Sequence, residues 1–515
     1  MKKDQEVLKV VKELFFRKGM ENGVSQNTLK YIWEVQIARQ LAYSFSILHT
    51  IAYTFIALQE LVLFHYFPRI YWYTACLTVN SASIEVDEDS EAKSKSSNYD
   101  KVAKAIGDLQ QAGVEVVPPY INGAGFSFKP DAKKNRIIFS LKGVNGIGDD
   151  VAQEIIKHRP YYSLQDFCKK LVDTKIIGQT KVITLIKAGC FDEIERKDRV
   201  EIMKDYIATI CEPKSRLTTS NMPYILESGL LPEELKIYGR HCNFKKYIFN
   251  KSRFYMNDET YKTKKWYKLD EVSTLYFNKY FIDDMEEGVH YEYLGDGSTI
   301  VCDKEFDKIF KIKIEPLLKW LGTKEAVEMV NNSLFTSKWE QYCLGSVSRW
   351  EMDSICFYHH DHELINTNDD KYSIINYNEL SEEPVVVGTN NWKGFEFPIF
   401  DISRIAGVCI GSDKTRHTIS LLTKHGVVTV KFASGQFTHY NKAITQVVDG
   451  VKKILEPSWF KRGTLLCICG YRQGEVFRAK RYNSTVYTHC VQKINEVKDN
   501  GDLVLQSERT RMEND

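Results

Sequence analysis

A multidomain α+β protein is predicted, with helical domains first and a β-barrel at the C-terminal end. Three observations carry this reading. The 515 residues exceed one ordinary hydrophobic core, so roughly three or four units are expected. Apolar residues recur near helical spacing from the start, at Val7, Leu8, Val11, Leu14 and Phe15. From Arg404 the period changes to two, over 405–410, 417–422, 427–432 and 465–469.

Residues 7–41 read as two helices joined by a turn at Asn22-Gly23. A long apolar helix is expected over 43–66, stopped by Pro68, and another over 70–79. The apolar run 47–64 raises the question of a membrane span. His49, Gln59 and Glu60 interrupt it and His65 and Arg69 follow, so a buried helix is expected and no membrane contact. Positions 81–99 are Ser, Glu, Asp and Lys with few apolar residues, and read as a mobile linker. Helix is expected again from Asp100, ahead of a Val-rich strand and Pro118-Pro119.

The sharpest motif is Leu141-Lys142-Gly143-Val144-Asn145-Gly146-Ile147-Gly148, followed by Ala152 and an apolar helix. It reads as a helix-hairpin-helix. Gly146 and Gly148 permit backbone angles that a Cβ would obstruct and leave N–H groups facing outward at a helix N-terminus. Such a nest binds phosphate without reading bases. Lys142, Gly143, Asn145, Gly146 and Gly148 are therefore the candidate contacts to a duplex DNA backbone.

The whole-chain net charge of +2 conceals a gradient. Residues 404–481 hold 14 Lys and Arg against 4 Asp and Glu, an electrostatic footprint for phosphate. Short strands with one helical insert near 441–454 fit a five-stranded OB barrel. Basic residues interleaved with aromatics suit single-stranded DNA, and the candidates are Lys414, Arg416, Lys431, Phe432, Arg472, Phe477, Arg478 and Lys480. Phe437, Tyr440, Phe460 and Tyr471 are further candidate stacking rings. A basic face on a structural barrel is the plain alternative.

Other clusters argue less. The 12 cysteines show no Cys-x-x-Cys, which favours reduced thiols in a cytoplasm over disulfides or zinc. His359-His360-Asp361-His362-Glu363 has no second ligand group to complete a metal site. Asp283-Asp284, Glu286-Glu287, Asp303 and Asp307 read as a solvated face. Residues 205–330 mix aromatic and charged residues without a clear period, so either a stacking surface or a Tyr-rich core fits them.

The order of these segments resembles one family. Tyr43-Ser44-Phe45, His49, Ala52-Tyr53 and His65-Tyr66-Phe67-Pro68 look like the fingers helix and following turn of bacterial family C replicative polymerases, the DNA polymerase III alpha-subunit type. The glycine turn, Leu185-Ile186-Lys187-Ala188-Gly189, Trp350-Glu351-Met352 and His362-Glu363-Leu364 continue the resemblance. It implies a fingers-like region over 1–120, a helix-hairpin-helix domain over 121–205, a connecting region over 206–400, an OB domain over 401–495 and a polar tail over 496–515. It also implies DNA replication as the function. The chain would be the C-terminal part of a split DNA-directed DNA polymerase, a nucleotidyltransferase in a bacterial cytoplasm, and a split gene suits a bacteriophage. Arg39, His49 and Tyr53 would meet the incoming dNTP, although Ser46-Ile47-Leu48 departs from the family pattern and lacks one basic contact. His49 satisfying a hydrogen bond in a helix core is the other reading of that position.

Nothing in the sequence matches the family's palm segment of aspartates or its His-rich phosphoesterase-like domain. No catalytic residue and no metal ligand is therefore assigned to this chain, and no cofactor is held by it. Mg2+ is expected on a separate chain carrying the palm, and this chain alone is expected to be inactive. A non-catalytic replisome scaffold derived from such a polymerase is the alternative. Gln59-Glu60-Leu61-Val62-Leu63-Phe64 mimics a sliding-clamp peptide but lies within the apolar helix, so clamp contact stays open.

Overall fold

The computed structural model describes residues 5–37, 47–81, 99–111, 113–251, 253–254, 265–392, 394–448, 451–480 and 490–510. The linker expected over 81–99 lies, apart from its two ends, outside them. The chain divides into two units. Met1–Cys76 with Ala132–Asn135 forms one, and Leu77–Asp131 with Arg136–Asp515 the other.

In the first unit, helix Gln5–Glu21 turns at Gly23 (φ 77°) into helix Gln26–Tyr31, capped by Ser25 accepting from the Thr28 N–H. Phe15 and Phe16 close on the buried Trp33 at 5.5 and 6.5 Å. The expected apolar helix runs Ile47–Tyr66, and Arg69–Asn80 follows the break at Pro68. It is not buried. From Leu48 to Tyr66 every side chain is exposed except Phe64, with Leu48, Phe55 and Leu61 at 77, 62 and 62% exposure. The apolar residues surround the helix instead of forming one stripe, so no single packing face could bury them. Among the described residues no helix is long and apolar enough to cross a membrane.

The second unit begins with helix Tyr99–Gln111 and a small sheet in the order β1-β3-β2, from Glu115–Val117, Lys129–Asp131 and Arg136–Ile138. Beyond it lies the all-helical body of 141–210. Its interior is Leu141, Val144, Ile147, Ala152, Ile155, Phe167, Leu185 and Phe191, all essentially sealed from solvent.

Residues 212–342 form a body with its own core. Strands β4 (Arg253–Phe254), β5 (Trp266–Leu269), β6 (Tyr291–Tyr293) and β7 (Thr299–Cys302) lie in the order β4-β5-β7-β6, all antiparallel. Phe244, Tyr267, Phe277, Phe281 and Phe306 fill the space between this sheet and the surrounding helices. Phe244 lies 4.5 Å from the ring of Tyr276 and 5.8 Å from that of Phe281. The aromatic residues of this region are therefore mainly core, while Tyr247 and Phe249 stay exposed.

A two-stranded ribbon, β8 (Val386–Trp392) with β9 (Phe395–Phe400), precedes the barrel. The barrel comprises β10 (Ser403–Asp413), β11 (Thr418–Thr423), β12 (Gly426–Lys431), β15 (Leu465–Gln473) and β16 (Val476–Ala479). Neighbours run β10-β11-β12-β16-β15, and β15 pairs back onto β10 to close the ring. The β12–β16 pair is parallel and the other pairs are antiparallel, which is the Greek-key order of a five-stranded OB barrel. Helix Ser434–Asn441 and a second ribbon, β13 (Ile444–Val448) with β14 (Val451–Glu456), fill the β12–β15 connection, so the insert expected to be helical near 441–454 is a β-ribbon preceded by a helix. The sheet extends past β15 through β17 (Val491–Val497) and β18 (Leu503–Gln506).

Part of the barrel's outer face is covered. Ala103 of helix Tyr99–Gln111 joins Met352, Tyr358, Leu364, Ala406, Val408 and Ile410 in one buried cluster. The helix that sequence pattern grouped with the N-terminal region thus seals the barrel instead.

Candidate nucleic-acid interface

The helix-hairpin-helix turn has the backbone its glycines suggest, but only at one of them. Gly146 is left-handed at φ 76°. Gly148, at φ −78° and ψ 173°, is the N-cap of helix Asp149–Lys157, and a Cβ there would meet nothing within 4 Å. The first-turn N–H groups of that helix have no intrahelical acceptor, which is what a phosphate oxygen requires. Asp149 and Asp150 occupy the same turn and favour the helix dipole, yet they also oppose an anion.

Three residues proposed to touch the DNA backbone have other duties. Gly143 is buried, and a Cβ would come within 2.6 Å of the Ser140 Oγ and 2.8 Å of the Phe139 ring. Its glycine identity serves packing. The Asn145 N–H donates to the Ser354 carbonyl at 2.7 Å, and its side-chain amide donates to the Asp353 carbonyl at 3.1 Å. It ties the turn to the end of helix Val347–Ser354. Lys142 is paired with Asp149 and its side chain is 15% exposed.

The structure adds a partner that the sequence reading missed. Helix Gln179–Lys187 also starts from a glycine N-cap, Gly178, with φ −78° and ψ 155° and no acid in its first turn. Ile147-Gly148 and Ile177-Gly178 correspond, as do the buried Ala152 and Val182, Ile155 and Leu185. The unit is thus repeated at a fixed offset along the chain. Lys181 of the second helix donates from Nζ to the Gly146 carbonyl, so a cation stands beside the first turn. The signal was legible as an apolar-Gly pair ahead of each helix.

On the barrel, strand register selects a row of side chains. Thr418, Lys431, Arg478 and Tyr471 are successive cross-strand partners on β11, β12, β16 and β15. Partners in register share a face. Val430 and Phe477, one position away, are buried in the barrel core, so this row points outward. Lys431 and Arg478 are exposed and Tyr471 is half-buried. The Tyr471 ring lies 4.5 Å from Phe400, and the Lys480 Nζ lies 5.2 Å from the Phe400 ring and 6.0 Å from that of Tyr471. Lys414 and Arg416 are exposed in the β10–β11 loop, where Asp413 accepts from the Thr415 and Arg416 N–H groups.

The other barrel candidates are corrected by burial. Phe432 and Phe477 are core residues, as are Phe437, Tyr440 and Phe460, and none offers a ring face to a base. Alternation explains Phe477 on β16, because an apolar residue in a half-buried strand defaults to the inward face, while Phe437 and Tyr440 pack inward from helix Ser434–Asn441. Arg472 has inward parity and closes the barrel end. It donates to the Leu380 carbonyl at 3.0 Å, pairs with Glu382 at 3.1 Å, and lies 4.7 Å from the Tyr377 ring.

The connector 343–368 binds these two regions through the His-rich segment. Glu351 is fully buried. It accepts from Arg199 Nη1 at 2.8 Å and from the N–H groups of His359 and His360, both at 2.9 Å, and it pairs with His360 Nδ1 at 2.7 Å. Burial alone would raise its carboxyl, but His360 and Arg199 outweigh that and hold it below the usual glutamate range. Arg199 also pairs with Asp192 at 2.6 Å. His362 bonds the Leu422 carbonyl of β11 at 3.0 Å through Nε2, while its Nδ1 accepts from the Leu364 N–H. Among the described residues no three His, Cys, Asp or Glu side chains converge on a metal position. Asp284 pairs with Lys313 at 2.5 Å and Asp307 with Lys245 at 2.9 Å.

Of the fingers candidates, His49 and Tyr53 are exposed on helix Ile47–Tyr66 with rings 4.6 Å apart. Arg39 lies outside the described residues.

Comparison with known proteins agrees with this geometry. The family model described as "Helix-hairpin-helix motif" matches residues 113–201. The chain is 42% identical over 99% of its length to "Probable DNA polymerase YorL" of Bacillus subtilis, covering 38% of that protein. Identity and coverage are the same with the "DNA-directed DNA polymerase" of Bacillus phage SPbeta. "DNA polymerase III subunit alpha" of Chlamydia trachomatis is 28% identical over 46% of this chain, which covers 18% of that protein.

Along nearly its whole length the chain resembles DNA polymerases of family C. It corresponds to a C-terminal portion of such a polymerase and spans 38% of the length of the two Bacillus-associated relatives. The paired glycine-capped helices and the barrel's outer row are where the exposed candidate residues of the sequence reading gather.

Proposed function

We propose that this chain works in DNA replication as the template- and primer-holding part of a DNA-directed DNA polymerase whose palm aspartates lie on another chain. Similarity along 99% of the chain to proteins named as DNA polymerases is the observation that supports it most. In this reading, the Gly146–Gly148 and Gly178 turns hold duplex backbone through N–H groups and Lys181. Lys431, Arg478 and Tyr471, with Lys414, Arg416 and Lys480, hold the single-stranded template. His49 and Tyr53, with Arg39, meet the incoming dNTP.

The palm-bearing partner would supply Mg2+ and the in-line attack of the primer 3′-hydroxyl. The apolar circumference of helix Ile47–Tyr66 suits burial in such a complex. Primer extension tests the reading directly. The purified chain should extend no primer alone and should do so when mixed with a palm-bearing polymerase fragment. Extension by the chain alone, abolished by replacing its own carboxylates, would overturn the two-chain arrangement.

A further inference from the structure

Between helix Tyr99–Gln111, the connector and the β11–β12 turn lies a cavity of about 460 Å³, lined by no residue of the proposed DNA surfaces. One wall is apolar, with Ile106 and Gly107 from the helix and Phe357 from the connector. The other is cationic. His359 and His360 line it from the connector, and Lys424 and His425 from the turn. His362 also lines it, but both of its ring nitrogens are engaged. Among the described residues Asp361 is the single carboxylate of the lining, and the nearby Asp369 is taken up by Lys424.

His360 is held ready for an anion. The ionised Glu351 accepts from its Nδ1 at 2.7 Å, which fixes the ring and leaves Nε2 for a ligand. Arg199 and two main-chain N–H groups meet the Glu351 charge from the other sides, so little of it reaches the cavity. The bond to Glu351 also raises the imidazole above its ordinary value, against the opposing charge of Arg199 and with the help of Asp192. His359, its ring 5.5 Å away, Asp361, Lys424 and His425 complete the titratable groups around it. An apolar wall facing a few convergent polar groups, at this volume, is the composition of a small-molecule site. We infer that the cavity takes one nucleotide unit, its phosphate held by His360, His425 and Lys424 and its sugar and base against Ile106 and Phe357. A free nucleotide and the 5′ end of a strand share that chemistry.

The test follows binding of thymidine 5′-monophosphate to the full chain by calorimetry. Affinity should fall roughly fivefold or more between about pH 6.5 and about pH 8.5 as His360 loses its proton, the scale of one charge-assisted hydrogen bond. The phosphate is already mainly dianionic over that range and adds little to the change. His360→Gln should weaken binding and flatten the profile. Gly107→Leu changes no charge and adds volume at the wall, where a Cβ would come no nearer than 3.8 Å to Val427, and it should weaken binding at every pH. Thermal melts establish that both variants are folded at the temperature used. Competition by oligo-dT carrying a 5′-phosphate, and not by the same oligonucleotide without it, would assign the site to a strand end. Failure of both to compete would assign it to the free nucleotide. Binding that neither variant alters would place the ligand elsewhere and overturn the inference. Equal affinity for thymidine and its monophosphate, or no binding at about pH 6.5, would overturn it as well.

Discussion

In the proposed reading, the helix-hairpin-helix body and the barrel would offer DNA opposite chemistries. One presents backbone N–H groups fixed at helix N-termini, around Gly148 and Gly178. The other presents side chains, Lys431, Arg478 and Tyr471, set in a row by strand register. They are also anchored differently to the connector. The first is held by a buried ionic knot of Glu351, Arg199 and Asp192, the second by the neutral imidazole of His362 on β11. Backbone recognition needs a rigid scaffold, because the ligand-binding groups cannot move independently of the chain. Side-chain recognition needs only a face of the right parity. The investment of buried polar contacts follows that difference.

The largest expected effect breaks the ionic knot. Glu351→Ala would leave Arg199 with Asp192 as its remaining carboxylate and strip the His359 and His360 N–H groups of their acceptor, and should cost about 3 kcal/mol, the low end of the usual penalty for breaking a buried ion pair. Differential scanning calorimetry should show the helix-hairpin-helix part melting earlier while single-strand binding survives below that transition. Equal melting of both parts would mean that they unfold as one cooperative body.

Next comes charge reversal on the barrel. Lys431→Glu/Arg478→Glu should lower single-strand affinity by roughly tenfold or more at low salt, and should flatten its salt dependence. Arg472→Ala should act on stability, since that guanidinium is engaged with Leu380, Glu382 and Tyr377. Fluorescence anisotropy beside a thermal melt separates the two kinds of residue.

The seams should also differ in acid. Burial pushes His362 down to about 4 from 6.5. The unfolded chain therefore binds the proton first, so this group's contribution is complete above 6.5 and is lost as pH falls toward 4, by about 3 kcal/mol at most. His360 has the opposite sign. Its hydrogen bond to Glu351 raises it, so its contribution is present below 6.5 and fades as pH rises through its elevated value. Melts across this range should show acid weakening the barrel seam, and His362→Gln should reduce that slope.

A smaller effect distinguishes the two glycines of the turn. Gly146→Val places a β-branched residue at φ 76° and should cost about 1–2 kcal/mol with a loss of duplex affinity. Gly148→Ala should be tolerated, since φ is −78° there and the space is open. Lys181→Ala should weaken duplex binding alike for unrelated sequences and reduce the salt slope by about 1. Sequence-dependent loss in a filter-binding assay would argue against backbone recognition.

Much of the architecture was legible because local chemistry decided it. Asn22-Gly23 turned the first two helices, Pro68 ended the long one, and alternation from Arg404 gave barrel strands. The glycine turn was legible too, since only glycine adopts the left-handed backbone of position 146 without strain. Which of its neighbours faced solvent was not. Gly143 and Asn145 looked like nest residues, but their roles depend on Phe139 and on Asp353 and Ser354, the last two more than 200 positions away.

By itself, then, the sequence determined many element types outside the connecting region, the motif, the basic C-terminal strands and the likeness to DNA polymerases, because periodicity, turn chemistry and residue order are properties of short stretches. Tertiary structure alone decided that Phe432 and Phe477 are core while Tyr471 faces outward, that Lys181 stands beside Gly146, and that helix Ile47–Tyr66 keeps its apolar surface exposed. The reason is common to all three. Burial and proximity depend on which surfaces meet across the fold, and a single strand or helix carries no record of its distant partner.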